Sequence, residues 1–460
     1  MKKNRILVVG GLAAGPSAAA KAIRTNPNTE VTLFEATETV SYGLCEAPYA
    51  IAGVIPDEKK LVAYTPEQLR EKKGIHVKSL HLVEKIIPAK HTLLVRNLKN
   101  HTVDEFEYDK LILAMGSKPR RLNLEHEDAR NVFHLNSRED TRAILNYIHQ
   151  EKPAKAVIIG GGYIGLEMSE AFAMLGMDVT IVHRHRLPLA GLEQSTRECI
   201  LEELEKNHVH FVTNATTQSL VIGNAGKIRH VVTNRRTFEA DIILLCVGVE
   251  PNVALAHEAN IRTGSFGGIL TDERQQTNID GVYAAGDCCE VKNIVTGKNM
   301  YVPLATTASR AGWVAGENAA GGRATFKGAI RAIAVKVFGM EVAQVGVSSD
   351  EARNAKFSVM TESITAFTKV GIMPQAEKMT VKMIVDQRSG RLLGANVYGG
   401  ERAVLRANTL GVAIQHKLTI DDIARWDLIY SPPFAPLWDP ILVAANQAKK
   451  KLNSLNQNFN

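Results

Sequence analysis

Ile6-Leu7-Val8-Val9-Gly10-Gly11-Leu12-Ala13-Ala14-Gly15 and Ala156-Val157-Ile158-Ile159-Gly160-Gly161-Gly162-Tyr163-Ile164-Gly165 are two copies of one pattern. In each, a short apolar run reads as a buried strand that meets a glycine turn and then a helix. A second apolar run follows each helix, Val31-Thr32-Leu33-Phe34-Glu35 in the first copy and Val179-Thr180-Ile181-Val182-His183 in the second. Glycines suit such a turn because the backbone must bend tightly and approach a pyrophosphate, whose charge is met by amides at the helix N-terminus. One match is a weak signal. Two, each with its second strand in place, predict an α/β chain with two Rossmann-like dinucleotide-binding units. The first copy has Leu12 at the middle glycine position, with Gly10 and Gly15 left to supply the turn and the close helix contact, while the second is complete with Gly160, Gly162 and Gly165.

The ends of the second strands separate the two ligands. Glu35 can accept hydrogen bonds from an adenosine ribose. Its counterpart is His183, followed by Arg184 and Arg186. A carboxylate there would repel a ribose 2′-phosphate, whereas His and Arg can hold one by charge-assisted hydrogen bonds. NADPH is therefore favoured over NADH, the alternative being a solvent-facing basic loop. A third signature, Thr277-Asn278-Ile279-Asp280-Gly281-Val282-Tyr283-Ala284-Ala285-Gly286-Asp287, reads as a turn, a strand and an acidic loop whose Asp can bond a polyol. Its place after the second copy implies that the chain returns to the first unit.

Bulk properties bound the function. At 460 residues, with 45% hydrophobic and 22% charged side chains, the chain is an ordinary globular one with room for about three domains. The net charge of +7 suits an anionic partner. The basic residues are scattered, however, and no nucleic-acid reading module is present. The runs His183-Arg184-His185-Arg186 and Lys449-Lys450-Lys451 are the exceptions, the second reading as a solvated tail with disorder toward Asn460. Five cysteines do not make a disulfide scaffold and none has zinc-ligand spacing, so no metal is expected and a reducing cytoplasm fits best. Lys2-Lys3-Asn4-Arg5 before Ile6 imitates a signal peptide, but cleavage near Ala20 would destroy the first glycine turn. No run is apolar enough for a membrane span.

With Ala114-Met115-Gly116-Ser117 and Cys246-Val247-Gly248-Val249-Glu250-Pro251-Asn252, these motifs resemble the flavoprotein disulfide reductase superfamily over nearly the whole chain. The resemblance implies an FAD domain of residues 1–115 and 245–325, an NAD(P) domain of 116–244 and a C-terminal α+β dimerisation domain of 326–460. It implies FAD contacts from Gly10, Gly11, Ala14, Gly15, Glu35, Ala114, Gly116, Asp287 and Ala305. For the nicotinamide cofactor it implies Gly160, Gly162, Tyr163, Ile164, Gly165, Glu167, His183, Arg184 and Gly248. Cys45 lacks a partner five residues on, where Ala50 stands, and Cys288-Cys289 are adjacent, so neither paired-cysteine arrangement of the superfamily is present. Ser41-Tyr42-Gly43-Leu44-Cys45-Glu46-Ala47-Pro48-Tyr49 is similar to the single-cysteine branch of CoA disulfide reductases, NAD(P)H oxidases, NADH peroxidases and persulfide reductases. That branch usually has Asn before the cysteine and Gly after it, where this chain has Leu44 and Glu46. Tyr430-Ser431-Pro432-Pro433-Phe434 with Asp439-Pro440 matches the branch too, which implies a homodimer with Tyr430 entering the partner's site.

Cys45 is expected to open the helix containing Ala47-Pro48-Tyr49, where the dipole lowers a thiol pKa, with Glu46 opposing the shift if its charge points inward. The expected reaction is reduction of a low-molecular-weight disulfide or persulfide, CoA disulfide first, with Cys45 and Tyr430 catalytic. The resemblance also implies Arg24, Ser41 and Tyr42 as substrate contacts, against a reading of them as ordinary surface residues. The rivals are an oxidase or peroxidase cycling Cys45 through a sulfenate, and a flavin-bearing sensor without turnover.

Overall fold

The computed structural model describes residues 4–223 and 226–457. Asn4–Val9 is the centre of a five-stranded parallel sheet, flanked by Thr29–Glu35 and Lys110–Leu113. His76–Ser79 and Val282–Ala284 close its two edges. Lys155–Ile159 has the same central place in a second sheet, between Asp178–Val182 and Ile242–Leu245, with His210–Val212 and Val132–Phe133 outside. The central strands are apolar from Ile6 to Val9 and from Ala156 to Ile159 because both faces of a parallel sheet are covered; Ile6, Val8 and Ile158 are fully buried. Ile6–Val9 is thus strand, while Lys2 and Lys3 lie outside the described residues. The two units are joined by an antiparallel pair, Ser117–Pro119 against Val249–Pro251.

The third unit is an antiparallel sheet in the order Ile333–Val337, Met340–Gly346, Leu392–Gly399, Lys378–Asp386, Val359–Phe367. The helices Ala403–Gln415 and Pro440–Gln457 bury Leu410, Ile414, Ile441, Ala444 and Ala448 in its core. The expected disordered tail is corrected here. Lys449–Gln457 completes the last helix, Lys449 pairs with Asp421, and Lys451 reaches Glu362 at 3.0 Å; Asn458–Asn460 lie outside the described residues. These anchors come from distant segments, so nothing local in the polar run announces them. No helix is long and apolar enough to cross a membrane among the described residues.

Three contacts fix the site. The helix Ala14–Thr25 lies against Ala305–Ala319 so closely that a Cβ on Gly312 or Gly316 would overlap the carbonyl oxygens of Ala14 and Ala18. Glu58 of the first unit holds Arg138 at 2.7 Å and Arg142 at 3.1 Å on the helix Arg138–Glu151 of the second. Glu193, beside the second sheet, pairs with Lys382 of the third unit at 3.0 Å and accepts from the Ser349 amide.

Candidate active site

At the first turn Gly10 has φ +105°, and a side chain there would overlap the Ala114 carbonyl; one at Gly15 would overlap the carbonyl of Gly10. Glu35 stands at the strand end, where Oε2 accepts from the Gly11 amide (2.8 Å) and Oε1 from the amide and hydroxyl of Thr37 (both 2.9 Å). Gly116 adopts φ +66°, and Ala305 opens the helix that packs on Ala14. Asp287 has no hydrogen-bond partner among the described residues, and burial pushes its carboxyl up to about 6. A polyol hydroxyl is the donor that such a carboxylate lacks. Tyr301 escaped the sequence reading because it stands outside every glycine motif. Its phenol is raised by burial and then by the charge of Asp287, so it stays protonated. The residues present therefore fit a flavin dinucleotide.

The second turn repeats this construction with one exchange. Gly160 has φ +117°, Cβ atoms at Gly160 and Gly165 would overlap the carbonyls of Cys246 and Gly160, and a Cβ at Gly162 would meet nothing within 4 Å. That open side is where a pyrophosphate can approach the helix Tyr163–Met174, which carries Ile164 in its first turn. The Gly161 amide donates to His183 Nδ1 at 3.0 Å, as Gly11 does to Glu35. Burial, with His185 next, pushes the imidazole down to about 4, so His183 is neutral. With Nδ1 accepting, the proton sits on Nε2, which is buried without a hydrogen-bond partner among the described residues. The expectation that His183 contributes positive charge to a 2′-phosphate is corrected accordingly. Arg184 is exposed and donates to His185 Nε2 at 3.1 Å, while Arg186 leans toward Glu198 at 3.7 Å. Glu167 lies one turn into the same helix, and burial, then Glu170, raises its carboxyl to about 7. Gly248, at φ +100°, lies in the crossover beside Arg120.

Cys45 is exposed and sits one residue before the N-cap, Glu46, of a five-residue helix, Ala47–Ile51. The expected dipole effect is overridden. The thiol is pushed up, first by lost hydration and then by the charges of Glu46, Glu167 and Asp287. Asp287 belongs to the first unit and Glu167 to the second, so Cys45 stands where the two meet. Ser41, at φ +50°, donates its amide to the Gly11 carbonyl at 2.8 Å and ties the cysteine loop to the first turn. Tyr42 is half-buried and bridges to Val62, with its phenol raised by burial. Arg24 is exposed in the last turn of Ala14–Thr25, about 15 Å along the axis from Ala14. Cys199 and Cys246 are partly buried, and Cys288 and Cys289 are buried with their sulfurs 3.8 Å apart. Tyr430 lies apart from this cluster, in the third unit, with its hydroxyl unpartnered among the described residues and exposed Ile429, Phe434, Leu437 and Trp438 around it in sequence. No cluster of metal-ligating side chains occurs among the described residues.

Two glycine turns of dinucleotide-binding form flank one exposed cysteine, and the chain belongs to the pyridine nucleotide-disulphide oxidoreductase family. That family's model matches residues 4–312 and its dimerisation domain matches residues 333–440. The chain is 36% identical to the NAD(P)H sulfur oxidoreductase (CoA-dependent) of Pyrococcus furiosus, over 98% of this chain and 100% of that protein. It is 30% identical to a Coenzyme A disulfide reductase of Staphylococcus epidermidis, over 94% and 97%. The water-forming NADH oxidase from Lactobacillus brevis bound to NADH superposes with TM-score 0.93 at 26% identity, covering 100% of both chains.

Proposed function

We propose that the protein reduces the disulfide of a low-molecular-weight thiol, CoA disulfide first, through Cys45, with NADPH as the preferred donor and FAD as the resident cofactor. The observation that carries this reading is the convergence of Asp287 and Glu167, from two different units, on one exposed thiol. Gly10, Gly15, Glu35 and Asp287 would hold FAD, which when bound supplies two-electron transfer between a nicotinamide and sulfur. Gly160, Gly162, Gly165, His183 and Arg184 would hold the nicotinamide dinucleotide.

The Cys45 thiolate attacks one sulfur of the disulfide, the S–S bond breaks, and the other sulfur leaves with the electron pair and takes up a proton. Two electrons and one proton arriving at the mixed disulfide then free the second thiol and restore the Cys45 thiolate. Tyr430 of the partner subunit donates the proton to the departing sulfur in the homodimer. Arg24, set along the first helix, suits a substrate whose phosphates lie far from its sulfur. This reading divides the chain into residues 1–115 with 245–325, 116–244, and 326–460.

The test is the anaerobic rate of NADPH oxidation by the flavin-loaded protein with and without CoA disulfide. Stimulation lost in Cys45→Ser, with the yellow colour retained, is expected. A second reading, an oxidase, is favoured by the likeness to the Lactobacillus brevis enzyme. Turnover that needs oxygen and ignores CoA disulfide would replace the first reading with the second.

A further inference from the structure

The loop bearing Cys45 has one charged side chain, and it has no structural duty among the described residues. Leu44 packs with Ala47 and Ile51 into the core of the second unit and offers the sulfur no polar group. Tyr42 and Gly43 are engaged through Val62 and the Leu61 carbonyl. Glu46 occupies the N-cap of Ala47–Ile51 without capping it, and its exposed carboxylate makes no hydrogen bond or salt bridge among the described residues. The side chain folds back over Gly43, where a Cβ would overlap Oε2. Its charge therefore stands on the cysteine's own loop. Glu167 and Asp287 add further negative charge near the Cys45 sulfur.

We propose that Glu46 is a specificity-determining residue: an anionic rim beside the exposed face of Cys45 that admits organic disulfides and turns away small sulfur anions such as inorganic polysulfide. This rests on the reading of Cys45 as the reacting sulfur. In an organic disulfide the attacked sulfurs are flanked by carbon, and only the sulfur that leaves with the electron pair acquires charge. CoA disulfide keeps its phosphates at the far end of each pantetheine arm. In a polysulfide dianion the charge is on the sulfur chain itself, so nucleophile, target and leaving group are all anionic beside a fixed carboxylate. A like charge a few ångströms away at a protein surface slows such an encounter by roughly threefold to tenfold.

The experiment alkylates reduced, flavin-loaded full-length protein with iodoacetamide, which is neutral, and iodoacetate, which is anionic, with Cys45→Ser as the blank. In both reactions the thiolate displaces iodide and a thioether forms. Any change in thiolate fraction affects both reagents alike and cancels in their ratio. The iodoacetate-to-iodoacetamide ratio is expected to rise about threefold or more in Glu46→Gln and further in Glu46→Lys, with retained flavin checking the fold. The ratios of wild type and Glu46→Gln are expected to converge at about 0.5 M salt, where the Debye length is a few ångströms. In turnover, Glu46→Gln is expected to raise kcat/KM for polysulfide relative to CoA disulfide. An unchanged alkylation ratio overturns the inference, even if Cys45-dependent disulfide turnover stands. A ratio that responds while no sulfur compound is turned over supports the rim and sinks the proposed function instead.

Discussion

His183 shows how one side chain can keep a structural bond and change the charge beside it. Its Nδ1 holds the Gly161 amide as Glu35 holds that of Gly11, so the turn is preserved, but a neutral ring replaces a negative charge. The remaining Nε2–H is enclosed, so the neutral ring neither repels a ribose phosphate nor supplies it with positive charge. His183→Glu is expected to shift the ratio of kcat/KM for NADPH over that for NADH by about tenfold toward NADH, or about 1.4 kcal/mol. Arg184→Ala is expected to weaken NADPH alone; steady-state kinetics with both nucleotides reads each effect. The position of His183 was legible from the repeat, since both second strands end at the same offset. Its charge was not, because the ring is enclosed by Phe211 and His185, each 5.5 Å away by ring centroid, and Phe211 comes from a strand the motif does not include. Cys45 follows the same rule. Its motif marked the sulfur proposed to react, while its raised thiol comes from burial, from the adjacent Glu46 and then from Glu167 and Asp287, the last two more than a hundred residues downstream.

Among the elements, the pairing of Ala14–Thr25 with Ala305–Ala319 carries the first turn. Backbone lies against backbone at Gly312 and Gly316, and Ser17 donates to the Ser309 carbonyl at 2.8 Å. Gly316→Ala is expected to cost about 1–3 kcal/mol by overpacking, read as a lower thermal midpoint and faster flavin loss. Gly162→Ala, where a Cβ meets no protein atom, is expected to leave the midpoint unchanged and raise KM for the nicotinamide dinucleotide. Strand, glycine turn and helix could be read directly, because the periodicity and the glycine spacing are local. The helix partnership could not, since Gly312 and Gly316 differ from other small residues only by what approaches them. The displaced start of Ala47–Ile51 is a third case: Pro48 sits comfortably in a first turn, which leaves Glu46 rather than Cys45 at the cap.

For the whole molecule, the seams between units are as specific as the units. Glu58 grips Arg138 and Arg142, and Glu193 grips Lys382, so the second unit is tied to both neighbours. The third unit keeps a large apolar surface, with Ile372 93%, Ile429 87% and Leu437 68% exposed, and the family's dimerisation model covers this region. Ile429→Asp is expected to reduce the mass seen by light scattering from two chains to one and to lower kcat/KM for the disulfide. A monomer that keeps full activity would remove Tyr430 of the partner subunit from the mechanism. The hydrogen bond from Gly161 to His183 also bears on ancestry. If the two halves descend from one duplicated segment, their glycine turns have tolerated either an acid or an imidazole as acceptor without losing the bond. Glutamate and histidine codons differ at two bases, with aspartate and glutamine each one base from both, and either of these has a side-chain oxygen able to accept the same amide, so a lineage could have crossed from acid to imidazole without passing through a broken fold.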